Sequence, residues 1–227
     1  TLITGTSKGI GRFLVEHYTS LGHDVIGCSR SDISYEIKNY EHFCLDVCDE
    51  KEVKEMFSQI RRSYNNLDNL INNAGIASMN HSLLTPVSTV RKIFETNVFA
   101  TFLFARESVK LMKKNKYGRI VNFSTVATKL KLEGESAYAV SKAAVMNFTE
   151  ILAREYAEFG VTVNAIAPTP VETDLIRFVP KEKIDELTKR LAIHRLGEFR
   201  DISNVLDFYI SRKSDFVTGQ TIFLGGI

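Results

Sequence analysis

The sequence predicts a single α/β domain, 1–227, built on a doubly wound sheet of about seven parallel strands with helices on both faces. Strand-length apolar runs alternate with amphipathic stretches from end to end of the 227 residues. No linker, repeat or low-complexity tract interrupts them, and a glycine cluster separates the first apolar run from the first amphipathic stretch. Alternation of this kind implies parallel strands joined by right-handed helical crossovers. With 44% hydrophobic and 25% charged residues the chain can bury a substantial core. A net charge of +2 is no footprint for nucleic acid or an anionic membrane, and no apolar run approaches the roughly eighteen residues of a membrane span. Three cysteines, Cys28, Cys44 and Cys48, are too few for a disulfide framework and fit a reducing, cytoplasmic setting, with Cys28 and Cys44 packed in strands. No second Cys or His pair stands at zinc spacing, so no metal is expected, and His42 reads as a sheet-end residue. Numbering opens on Thr1 inside a strand, so a few residues are expected to precede it.

Thr1 to Thr4 is the tail of the first strand, followed by Gly5-Thr6-Ser7-Lys8-Gly9-Ile10-Gly11 and an amphipathic helix from Arg12 to Leu21. Strand, glycine loop and helix in that order make a phosphate site: glycines let the backbone approach a pyrophosphate, and free helix N–H groups face the anion. Val25 to Cys28 is a second strand ending at Ser29-Arg30. In a dinucleotide fold this corner meets the adenosine ribose, where an acid accepts the 2′-hydroxyl and an arginine suits a 2′-phosphate. Arg30 holds the corner, Lys8 can add a second charge, and NADP(H) is expected over NAD(H).

The stretch 31–39 reads as a polar loop with a short extended piece, His42 to Leu45 as a third strand, and Asp49 as the cap of a helix from Glu50 to Tyr64. Asp46, with Val47 beside it, is placed to meet an adenine amino group or simply to close a turn. Leu67 to Ile71 is a fourth strand running into Asn72-Asn73-Ala74-Gly75, whose amides and small residues leave room for a flat ligand or form a plain turn. A loop, 76–86, precedes a long helix from Ser88 to Asn115 with Asn97 in its middle, an unfavourable place for asparagine. Gly118 to Phe123 is a fifth strand closed by Ser124-Thr125, and 126–135 a loop. A helix then runs to Phe159, where Gly160 supplies a left-handed cap. Val161 to Ile166 is a sixth strand closed by Pro168-Thr169-Pro170-Val171-Glu172-Thr173. The polar stretch 174–195 reads as a substrate lid with one or two short helices, Asp201 to Ser211 as a helix, and Gly219 to Leu224 as the last strand.

In the helix that follows 126–135, Tyr138 and Lys142 stand four residues apart and so leave one face. An unperturbed phenol titrates near roughly 10, and a neighbouring ammonium lowers it by about 1–3 units. Such a tyrosine can exchange a proton at working pH. The plain alternative is a lysine stem lying over a ring.

Taken together, Thr4-Gly5-x3-Gly9-Ile10-Gly11, Asn72-Asn73-Ala74-Gly75, Asn97, Tyr138-x3-Lys142 and the turn at Pro168 resemble, in order and spacing, the classical short-chain dehydrogenases/reductases, which carry a Rossmann-type fold. Within that family the chain looks most like the 3-oxoacyl-acyl-carrier-protein reductases of fatty acid biosynthesis. The resemblance implies nicotinamide-dependent interconversion of a ketone and a secondary alcohol. Tyr138 would be the proton donor and Lys142 would lower its pKa while binding the nicotinamide ribose; Asn97 would hold a relay water. Pro168, Val171 and Thr173 would contact the carboxamide and pyrophosphate. The family's catalytic serine stands thirteen residues before the tyrosine, which here is Thr125, with Ser124 as the alternative hydroxyl. Thr169 departs from the glycine many members carry. The resemblance further implies a homotetramer or homodimer built from the helices bearing Asn97 and Tyr138.

The small-molecule substrate is thus expected to be a carbonyl compound, carried on acyl carrier protein in the leading reading. Arg177, Lys181, Lys183, Lys189, Arg190 and Arg195 in the lid would attract an acidic carrier or be merely solvated. The other readings are a dehydrogenase of a sugar, steroid or other secondary alcohol using NAD(H) or NADP(H), and a cofactor-binding sensor or scaffold without turnover.

Overall fold

A computed structural model describes residues 1–33, 35–64, 66–171 and 181–227. Among them, seven parallel strands form one sheet in the order β3-β2-β1-β4-β5-β6-β7, the expected Rossmann-type arrangement. They are β1 (Leu2–Thr4), β2 (Val25–Ser29), β3 (Tyr40–Cys44), β4 (Asn69–Asn72), β5 (Gly118–Phe123), β6 (Val161–Ala167) and β7 (Thr221–Phe223). The helices are α1 (Gly9–Ser20), α2 (Glu50–Ser63), α3 (Val87–Phe94), α4 (Ala100–Met112), α5 (Ala127–Leu130), α6 (Ser136–Tyr156), α7 (Lys181–Lys189) and α8 (Phe199–Ile210).

Successive strand residues point to opposite faces, and in the central strands both faces are covered. Leu2, Ile26 and Ile120 join one core with α2, α4 and α6, whereas Ile3, Val25 and Val121 join the other with α1 and α8. This is why the central strands read as unbroken apolar runs rather than as alternating ones. Because β1 pairs with β2 on one side and β4 on the other, winding reverses there, and a crevice opens at the carboxyl ends of β1 and β4.

Three local expectations are corrected. The helix drawn from Ser88 to Asn115 is broken: α3 and α4 are joined by a π-helical turn, Glu95–Phe99, containing Asn97. The loop 126–135 contains the short helix α5. Cys44 is exposed, because β3 is the edge strand, while Cys28 is buried as expected. Asp49 caps α2 as expected, accepting from Lys51 and Glu52 N–H, and Gly160 takes φ 71° after the tyrosine helix. Among the described residues no helix is long and apolar enough to cross a membrane.

Candidate active site

The glycine loop runs from β1 into α1, and its glycines are there because atoms crowd it. A Cβ on Gly11 would stand 2.1 Å from the Gly5 carbonyl oxygen. Asn73 stitches the loop to β4: its Nδ2 donates to Thr4 O at 2.8 Å and Gly5 O at 3.2 Å, while Ala74 N donates to the Thr4 hydroxyl at 2.9 Å. At the N-cap of α1 stands Lys8, extended, whose side chain makes no capping bond, and the first turn carries no acid. Bare backbone and open N–H groups on positive helix-dipole charge fit a pyrophosphate. Ser7 and Ile10 line the same loop, half-buried.

At the adenosine corner Arg30 is exposed at the end of β2. Asp46 already accepts from Cys48 N–H at 3.0 Å, the turn-closing role also open to it. The Val47 side chain is buried in the core, so only its backbone can face a ligand.

At the other end of the crevice Tyr138, Lys142, Asn97 and Thr125 converge. Lys142 is 5% exposed, and its ammonium donates to Phe123 O at 2.8 Å. A Cβ on Gly75 would lie 3.3 Å from both Lys142 Nζ and Asn97 Oδ1, so these two polar atoms flank a bare backbone that a planar ligand can approach. Asn97, wholly buried, spends its amide on neighbours: Oδ1 accepts from Ile76 N at 2.9 Å, and Nδ2 donates to Ile76 O and to the Ser141 hydroxyl, each at 3.0 Å. That two-way clamp on Ile76 accounts for an asparagine inside a helix and accompanies the π-turn, a feature frequent at functional sites.

The two candidate hydroxyls face different ways. The Thr125 hydroxyl lies close enough to the Tyr138 hydroxyl to favour its ionised form and accepts from Ala127 N–H at 3.3 Å, while Ser124 donates to Lys142 O at 3.1 Å, on the helix backbone. Pro168 gives its carbonyl to Val126 N at 3.2 Å, and Val171 bridges to Gly197. Thr173, Arg177 and the lid's first part, 174–180, lie outside the described residues. In the rest of the lid, Leu187 and Leu191 of α7 and its extension pack on Val126 and Leu130.

Electrostatics correct one expectation. Burial pushes the Tyr138 phenol up to about 12, against the smaller downward pull of the nearby Thr125 hydroxyl, so no net lowering toward neutrality occurs. Burial also brings Lys142 down to about 8. Desolvation disfavours whichever form is charged, and so drives phenol and amine in opposite directions. Glu135, which the sequence reading passed over, adds to the rise at Tyr138. Its Oε2 is buried without a partner among the described residues, and burial holds its carboxyl above the usual range against the pull of Lys183. The available signal was position: an acid three residues before the tyrosine, at a helix start, shares its face.

A family model described as short chain dehydrogenase matches residues 1–183. The 3-oxoacyl-(acyl-carrier-protein) reductase FabG of Escherichia coli strain K12 is 31% identical over 231 residues, covering 99% of this chain and 95% of that protein. Among solved structures, ElxO with NADP bound aligns at TM-score 0.90 and 28% identity over 98% of this chain and 95% of that one. A short-chain dehydrogenase from Leptospira borgpetersenii with bound NAD+ aligns at 0.90 and 28%, covering 99% and 90%. The ligand-free aldohexose dehydrogenase of Thermoplasma acidophilum aligns at 0.91 and 30%, covering 99% and 92%. With this match and this geometry, the chain belongs to the short-chain dehydrogenase family, NAD(P)-dependent oxidoreductases acting on small carbonyl or alcohol substrates.

Proposed function

We propose that the protein reduces a ketone to a secondary alcohol with NADPH, and that 3-oxoacyl thioesters on acyl carrier protein are the substrate class to test first. The observation that carries this reading is the meeting of Lys142 Nζ and Asn97 Oδ1 beside the bare Gly75 backbone, with Tyr138 one helical turn before Lys142 on α6. A phenol at about 12 is protonated throughout the working range, yet it remains a stronger acid than the secondary alcohol formed when its proton reaches the developing alkoxide. Bound nicotinamide supplies the hydride. Tyr138 Oη gives its proton to the carbonyl oxygen, and the Thr125 hydroxyl orients and polarises that oxygen. Lys142 and Asn97, flanking Gly75, are assigned to the nicotinamide ribose and to proton resupply. Gly5, Ser7, Lys8, Gly9, Ile10 and Gly11 are assigned to the pyrophosphate and Arg30 to a 2′-phosphate. Asp46, the Val47 backbone, Asn73, Ala74, Gly75, Pro168, Val171 and Thr173 complete the coenzyme contacts.

The acyl-carrier reading draws on the full-length likeness to FabG. The lid gives it less electrostatic support than its composition suggested. Arg195 is held by Asp201 at 2.6 and 2.9 Å, and Arg190 by Leu130 O at 2.7 Å. The second reading, a sugar dehydrogenase, is favoured by the likeness to the aldohexose enzyme. Exposed Phe99 and Phe102 beside α4 and Val140 and Ile151 on α6 support assembly of copies through that helix pair.

The deciding measurement is NADPH consumption with 3-oxoacyl thioesters and, in parallel, NAD(P)+ reduction with aldohexoses. Tyr138→Phe is expected to abolish turnover while retaining coenzyme affinity. An active Tyr138→Phe enzyme would falsify the assigned acid. Saturable NADPH binding with no turnover on any carbonyl would instead favour a sensor or scaffold.

A further inference from the structure

Beneath the adenosine corner lies a cluster of side chains with no part in the chemistry above. Tyr40 and His42 share one face of the edge strand β3 and look toward the glycine loop. The Tyr40 hydroxyl lies 2.8 Å from both the Thr6 hydroxyl and His42 Nδ1, and His42 Nε2 lies 3.2 Å from both the Ser29 hydroxyl and Ser31 O. Tyr35 closes the group, donating to Thr6 O at 2.8 Å, with its ring stacked on Tyr40 at 6.0 Å. The cluster exists because β2 carries glycine beneath it: a Cβ on Gly27 would stand 2.3 Å from the Tyr40 hydroxyl and 2.6 Å from that of Thr6.

The roles of the ring nitrogens follow from the partners. Ser29 already gives its hydroxyl proton to Ser31 O at 2.7 Å. The carbonyl of Ser31 has a second lone pair, and His42 Nε2 meets it only as an N–H donor; on its other side Nδ1 lies 2.8 Å from the Tyr40 hydroxyl, which itself donates to the Thr6 hydroxyl. His42 therefore joins two segments of the coenzyme site. One is the glycine loop at Thr6, next to Ser7 and Lys8. The other is the turn Ser29-Arg30-Ser31, whose middle residue projects the exposed guanidinium. Cys44 adds a weaker tether, donating to Arg30 O at 3.4 Å.

We propose that His42 is a positioning residue for coenzyme choice, fixing the Arg30 turn against the glycine loop at the separation a 2′-phosphate needs. This rests on the NADP(H) reading above. Arginine on a loose turn pays ordering entropy when it binds a phosphate, whereas a held backbone has met part of that cost beforehand. A role confined to stability would weaken both coenzymes alike; holding Arg30 selectively favours the coenzyme with the extra phosphate.

The test is calorimetric titration of the full chain with NADPH and with NADH, for the wild type, His42→Leu, His42→Gln and Tyr40→Phe. His42→Leu is expected to weaken NADPH about tenfold while NADH stays within about twofold. His42→Gln, whose amide can still donate to Ser31 O, is expected to recover most of the loss. Tyr40→Phe, which removes one hydroxyl and little volume, is expected to shift the NADPH to NADH ratio in the same direction by a smaller factor. It carries the decision if His42→Leu fails to fold. Equal weakening of both coenzymes, or an unchanged ratio in folded His42→Leu or Tyr40→Phe, overturns the positioning role while leaving the NADP(H) reading intact. A wild type that binds NADH as tightly as NADPH overturns that reading, and this inference with it.

Discussion

Helices α1 and α2 both follow a strand of the same sheet, yet their first turns are treated in opposite ways. The start of α2 is closed from within. Asp49 accepts from Lys51 and Glu52 N–H, Glu52 accepts from Asp46 N–H at 3.0 Å, and Glu50 pairs with Lys54 at 2.8 Å and Arg106 at 3.0 Å. The start of α1 has an N-cap residue that makes no capping bond and no acid in its first turn, and stands behind a loop too crowded for any residue but glycine at Gly11. Both helices present the same unpaired N–H groups and the same positive dipole end. At α2 the chain uses them for its own stability; at α1, on the proposal above, they serve the coenzyme's pyrophosphate.

The harshest way to break the contrast is Gly11→Val. Its side chain would collide with the Gly5 carbonyl, so coenzyme affinity is expected to fall by roughly a hundredfold or more, with a loss of about 1–3 kcal/mol in stability. Titration and thermal melting of the same sample would measure both. Unchanged NADPH affinity would remove α1 from the coenzyme site.

A third helix start sharpens the contrast, because α6 also lacks a side-chain cap and carries the reacting groups in and after its first turn. Lys142 titrates at about 8 instead of 10.5. Between those values the folded chain binds fewer protons than the unfolded one, so this residue makes stability rise with pH. The cost of burying its charge, roughly 3 kcal/mol, is fully present below about pH 8 and disappears toward about 10.5. Tyr138, raised from 10.0 to about 12, acts in the opposite direction and only above about 10. Denaturant melts of wild type and Lys142→Met should therefore differ in slope between about pH 8 and 10, the wild type alone gaining stability from this residue. Reduction that needs the ammonium should decline as pH passes about 8, and parallel pH profiles in the two proteins would contradict the assignment.

Lys8→Asp tests the comparison by making α1 resemble α2. An N-cap carboxylate should raise the melting temperature through about 1 kcal/mol of capping, and weaken NADPH about tenfold by repelling its phosphates. Tighter coenzyme binding in this variant would contradict an open, anion-accepting helix start. Asp49→Ala, the mildest change, should cost about 1 kcal/mol in stability and leave the NADPH dissociation constant where it was.

Much of this contrast could be read from residue order. Asp49 before an amphipathic run is a cap, and a glycine cluster between an apolar run and a helix reads as a phosphate loop, because both signals are local. The meeting of Tyr138 with Thr125 was inferred from spacing, but the sequence could not choose Thr125 over Ser124. Adjacent hydroxyls at a strand's end point to different sides, and only the packing of α6 against β5 turns Ser124 toward Lys142 O. Asn97 drew notice as a poor helix former, while the π-turn that holds it depends on Ile76, a residue 21 positions away. Glu135 offered only its position three residues before Tyr138, and the cluster around His42 gave no legible signal. Their partners come from separate strands and loops, and a side chain becomes buried or hydrogen-bonded only when those segments meet.

The order of strands and helices, the phosphate loop and the tyrosine-lysine pair are fixed by hydrophobic period, glycine placement and helical spacing, which act over a few residues and are written in the chain itself. The direction of each pKa shift, the partners of the neighbouring hydroxyls and the wiring beneath Arg30 were decided by the tertiary structure. Desolvation and hydrogen-bond partnership depend on what other segments exclude or supply. A phenol that spacing alone would place beside an acidifying amine is instead governed by the burial that surrounds both groups.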